Sequence, residues 1–192
     1  MRQAWTILVP ALAALLAGSL PRAALRAEEP PVLLPTRDVD ITYSVTRAGQ
    51  PRLRERVRWL AADQLERMDG PDGSATIFDR KAREITLLTP KNRTYRKLEG
   101  SPRGPIEPES GAVLTRGGEA KVAELRCTVW SWSEDGKTRT VCATPDGVLL
   151  RLTVDGRTVV EALAVRYHKQ KPDLFEAPPG YDPALAPEGT VP

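Results

Sequence analysis

AKVAELRCTVWSW (120–132), SEDG (133–136), KTRTVCA (137–143), TPDG (144–147), VLLRLTV (148–154), DG (155–156) and RTVVEALAVRY (157–167) follow one another without interruption. The stretch reads as four strands separated by three tight turns. Asp-Gly supplies the positive φ that short hairpin connections need. The same dipeptide occurs five times in the chain, at 69–70, 72–73, 135–136, 146–147 and 155–156. That density predicts consecutive antiparallel strands.

The N-terminal half follows the same rule of alternation. In residues 38–47, Val39, Ile41, Tyr43 and Val45 share one face. In residues 52–61, Leu53, Val57 and Trp59 share one face, while Arg52, Arg54, Arg56 and Arg58 line the other. Shorter strands are expected near 64–68, 74–79, 84–89 and 93–98. Residues 58–68 can also be drawn as a short helix and 111–118 as a single helical turn. No segment after residue 27 carries a dozen residues of 3.6-residue periodicity. Residues 99–118 are expected to form a long loop, since its first part holds Pro102, Pro105 and Pro108.

Outside this domain the chain has two different ends. Arg2, the uncharged apolar run 4–20, the helix-breaking Pro21 and the small residues before Ala27 have the order of a secretory signal, predicted to be removed after residue 27. Residues 28–37 would then be an N-terminal extension, 38–181 the β domain, and the proline-rich 182–192 a flexible tail. The mature chain would have no membrane-spanning segment and would be periplasmic or secreted.

Removing the signal also changes the electrostatics. The chain has 28 Lys and Arg against 25 Asp and Glu, and Arg2, Arg22 and Arg26 lie in the signal. The mature part therefore has 25 of each. A nucleic-acid partner is excluded as an expectation, because no basic excess remains.

Cys127 and Cys142 lie on neighbouring predicted strands. A four-residue loop 133–136 would set them directly opposite; a two-residue Asp-Gly loop would set them diagonally on the same face. Either register suits a cross-strand disulfide, which an exported protein can keep. Cys-x-x-Cys redox spacing is absent, and too few further ligands surround the pair for a metal site. His168, the single histidine, falls at a strand end. Neither a nucleophile–base pair nor a carboxylate pair stands out, so no enzyme activity, catalytic residue, metal or cofactor is expected.

Two groupings allow more than one reading. Trp130 and Trp132 share a face of their strand: they either cover the sheet or line an apolar cavity together with Trp59. The row Arg52, Arg54, Arg56 and Arg58 is either a stripe for phosphate or lipid head groups, or a solvated strand face.

The segments Leu125–Trp130, Val141–Arg151 and Pro172–Tyr181, with a Tyr-bearing first strand and Thr89–Tyr95, resemble families of exported bacterial proteins. Their fold is similar to that of the outer-membrane lipoprotein carriers (LolA-like). The resemblance spans residues 38–181 and rests on structural motifs. It implies a single curved antiparallel sheet or half-open barrel whose concave face can hold acyl chains. It transfers no binding residue, and the helices that close the carriers are not legible here. The expected function is non-enzymatic binding or carriage of a lipid or other apolar ligand, the alternative being a structural or protein-interaction module of the cell envelope with no small ligand. The candidate lining residues are Val39, Ile41, Tyr43, Val45, Leu53, Val57 and Trp59.

Overall fold

The computed structural model describes residues 31–47, 49–100 and 107–184. The predicted signal, Pro105 with its neighbours 101–106, and residues 185–192 lie outside them. The chain forms β1 (Val39–Val45), β2 (Leu53–Leu60), β3 (Leu65–Asp69), β4 (Ala75–Asp79), β5 (Glu84–Thr89) and β6 (Thr94–Glu99). After a connection come β7 (Thr115–Val122), β8 (Leu125–Glu134), β9 (Lys137–Ala143), β10 (Leu149–Val154) and β11 (Arg157–Tyr167). A 3₁₀ turn at Pro172–Phe175 and the two-residue β12 (Asp182–Pro183) complete it. No α-helix occurs among the described residues. The segment 58–68 is a hairpin, because Arg58, Trp59 and Leu60 pair with Arg67, Glu66 and Leu65.

All strands belong to one curved, open sheet in the order β12-β6-β5-β4-β3-β2-β1-β11-β10-β9-β8-β7. Two meanders run in opposite directions from a seam where β1 pairs antiparallel with β11. This places β6 and β7, neighbours in sequence, near opposite edges. A flat sheet would separate them by about 48 Å, at about 4.8 Å per strand. A fully extended connection from Glu99 to Thr115 would reach about 53–58 Å. Curvature brings the two edges closer than in a flat sheet.

The Asp-Gly turns at 135–136 and 155–156 form as expected, whereas Asp69 ends β3 and Gly70 has a φ outside the left-handed region. Asp135 and Gly136 (φ 51° and 71°) and Asp155 and Gly156 (φ 48° and 75°) are both left-handed pairs closing two-residue hairpins. The expected single strand 120–132 is corrected. It breaks at Ala123 and Glu124, whose φ values of 46° and 64° turn the chain between β7 and β8. Nothing in Val-Ala-Glu-Leu signals that turn, since left-handed Ala and Glu each cost on the order of 1–2 kcal/mol. The expected loop 99–118 is shortened as a result. Thr115 to Val122 pairs with β8, the Gly117-Gly118 step sitting at a register shift between Arg116 and Glu119.

Both ends of the described chain are tied down. The expected tail begins with a parallel pairing of Asp182 and Pro183 on Thr94 and Tyr95. The expected extension is docked: the Thr36 amide donates to the Asp146 carbonyl at 2.9 Å. Gly147 (φ 87°) lies so close that an added Cβ would fall 2.1 Å from the Leu34 oxygen.

The core has three clusters. Leu60, Ala75, Ile77 and Leu88 are closed over by Phe175 from the 3₁₀ turn. Trp130 and Trp132 pack with Val141, Leu149 and Leu152. The largest contains Val39, Ile41, Tyr43, Trp59 and the cysteine pair. The cysteines form the expected disulfide, with Cα atoms 5.3 Å apart. The two-residue loop sets the diagonal register: Cys142 lies opposite Val129 rather than Cys127.

Candidate functional site

Continuous pairing of β1 with β2 puts Val45 beside Leu53, Tyr43 beside Glu55, Ile41 beside Val57 and Val39 beside Trp59. The next pairing adds Met68 beside Val57 and Glu66 beside Trp59. On the other flank Val45 meets Val160 and Tyr43 meets Ala162. The period-two side-chain alternation therefore builds one apolar wall across several strands.

A cavity of about 320 Å³ lies against this wall. Of the seven candidate residues, Ile41, Tyr43, Val45, Val57 and Trp59 border it. Val39 is fully buried in the core beside it and Leu53 stands outside it, so these two are not lining residues. Leu149, Leu152, Val159 and Val160 complete the wall, and Leu33, Leu34 and Pro35 of the docked N-terminal strap form its opposite side. The sequence reading missed the strap, because an apolar Val-Leu-Leu-Pro run without alternation has no readable destination.

The tryptophan pair does not join Trp59 at the cavity. Trp130 and Trp132 are 7% and 3% exposed and border no part of it; they fill the core with Leu33, Ala112 and Leu114 packed against them. They cover the sheet, the first of the two readings.

Polar groups bound the cavity at two places. Buried Tyr43 donates its hydroxyl to the Leu149 carbonyl at 2.7 Å, and burial pushes its phenol above the usual tyrosine range. Arg47 pairs with the buried Glu55. At the Trp59 side, Arg80 bonds Glu66 at 3.0 Å and also Glu107 of the long connection, while its guanidinium stacks over the Trp59 ring at 5.6 Å. Burial raises the Glu66 carboxyl above its ordinary value, with Arg80 working against the shift. Burial disfavours the Arg80 charge, but Glu66 and Glu107 outweigh it.

The arginine row on the other face of β2 is paired with carboxylates at its inner end, where Arg56 stays exposed and Arg58 is largely covered. Arg56 forks onto Asp40. Arg58 pairs with Asp69, which also takes Arg67. Burial works against the Asp40 charge, yet Arg56 holds its carboxyl below the usual range. Exposed Arg52 and Arg54 remain at the outer end. His168 is exposed, with Gln170 Nε2 3.2 Å from its Nε2.

No family model matches the chain. No curated protein matches it in sequence. Solved structures do share its fold. An uncharacterised conserved protein from Thermus thermophilus superposes with a TM-score of 0.56 at 12% identity, over 78% of this chain and 90% of that one. MucB gives a TM-score of 0.53 at 12% identity over 77% of this chain. PNGF-II gives 0.51 at 15% identity over 77% of this chain. The chain spans only 59% of the MucB chain and 31% of the PNGF-II chain. MucB of Pseudomonas aeruginosa has been solved in complex with MucA, at a TM-score of 0.50 and 13% identity over 73% of this chain. No described helix is long and apolar enough to cross a membrane. What this chain shares with all three is a curved open β-sheet.

Proposed function

We propose that the protein is a non-enzymatic module of the cell envelope that holds an apolar ligand between its curved sheet and the N-terminal strap. The supporting observation is the cavity of about 320 Å³ walled by Ile41, Val45, Val57, Trp59, Leu152 and Val160. A volume of this size is at the lower end of small-molecule sites, about 300–1,000 Å³.

A second reading takes its support from the MucB fold, known in complex with MucA. Here the same cavity would receive apolar side chains of a protein partner. Both readings place the module in the envelope, in keeping with the signal-like start of the chain.

Binding of an uncharged apolar fluorescent dye tests the ligand reading. Wild-type protein should bind it, and Val160→Phe, which adds volume at the wall, should weaken binding on the order of tenfold or more, about 1.4 kcal/mol. The melting temperature should stay near the wild-type value. A wild-type protein that leaves the dye dark, or a Val160→Phe variant that binds equally well, would overturn this reading.

A further inference from the structure

A second cavity, of about 460 Å³, adjoins the first at the β3–β4 hairpin. Arg47, Glu55 and Met68 border both. On one side of these three residues the walls are Ile41, Val57 and Leu152. On the other they are Asp69, Gly70, Asp72, Ser74 and Thr76. An apolar chamber thus opens past an ion pair into a polar vestibule.

We propose that the ligand is a single-chain amphiphile, its tail in the chamber and its uncharged or cationic head in the vestibule. The inference rests on the ligand reading above. The walls supply the physical reason. Burying apolar chain is favourable only where the surroundings are apolar, which fixes the tail end. A polar head cannot follow it without losing its hydrogen bonds, and the vestibule supplies replacements.

The sign of the head follows from the ionisable groups around that space. Glu55, Asp69 and Asp72 border the vestibule, and Arg47 is the one cation among the described residues that border it. That cation already pairs with Glu55. The Asp69 carboxylate faces Arg58 and Arg67, and the Asp72 carboxylate accepts from Ser74. An anionic head would meet the carboxylates of Glu55 and Asp72, that of Asp69 being turned to the arginine face of the sheet, with no unshared cation among the described groups bordering this space. A glycosyl or ammonium head meets acceptors instead.

Displacement of the uncharged dye separates the possibilities. Three amphiphiles with the same twelve-carbon tail serve as competitors: dodecylamine, dodecyl glucoside and dodecanoate, each below its micelle concentration at neutral pH. The amine and the glucoside should displace the dye, and dodecanoate should be on the order of tenfold weaker. Thr76→Arg, which sets a cation in the vestibule, should erase or reverse that order while leaving dye affinity unchanged. Equal displacement by all three, with no change in Thr76→Arg, would overturn the head placement and leave the chamber standing. A wild-type protein that binds no dye would overturn the chamber itself, and this inference with it.

Discussion

Glu66 faces Trp59 across the β2–β3 pairing, and Arg80 reaches the same place from the turn after β4. In sequence both look like ordinary strand-edge charges, because a charged residue carries no mark of whether its face is wet. The cysteines were legible for the opposite reason: two of them on facing strands leave few alternatives. The environment of Glu66 has a measurable consequence. Its carboxyl is raised by burial, so the folded state binds the proton more tightly than the unfolded chain does. Ionisation of Glu66 therefore weakens the fold above the raised value, and the loss is recovered as pH falls toward the unfolded value of about 4.3. Glu66→Gln removes this cost. The stability difference, variant minus wild type, should be most favourable to the variant at high pH and shrink toward pH 4. Denaturant melts across pH 4–9 would check it, and a difference independent of pH would contradict it.

Among the elements, most strands were legible to within a residue or two, because alternation and Asp-Gly turns act locally. The start of β7 was not: its hairpin turns on left-handed Ala123 and Glu124, residues without that local preference. Docking of the strap was equally hidden, since its partner lies more than a hundred residues away. Asp146 is the hub of that latch. Its carbonyl takes the Thr36 amide, its carboxylate takes the Tyr167 hydroxyl at 3.2 Å and stands 3.7 Å from Arg37, and Arg37 stacks over Tyr167 at 4.3 Å. Gly147→Ala should therefore displace the strap. A left-handed alanine costs on the order of 1–2 kcal/mol, and the clash with Leu34 adds to it. Amide exchange at residues 33–37 should accelerate at least tenfold while β8–β10 remain protected. Unchanged protection of the strap would show that the latch lies elsewhere.

At the scale of the whole molecule, the antiparallel class was legible but the strand order was not. Sequence-local pairing explains each meander; the β1–β11 seam depends on which buried faces meet, and no turn records it. The seam decides the function proposed here, since it brings Ile41 and Tyr43 alongside Val165 and Ala162, with the wall continuing toward Leu149 and Leu152. Apolar residues also occupy the reverse face, where Phe175 covers Ile77 and Leu88. The two faces give a direct comparison within one molecule. Methyl-resolved NMR during titration with the uncharged dye reads both at once. Shifts should concentrate at Ile41, Val57, Leu149, Leu152 and Val160, with Ile77 and Leu88 unmoved; shifts at Ile77 and Leu88 instead, or none at either face, would contradict a ligand site in the cavity.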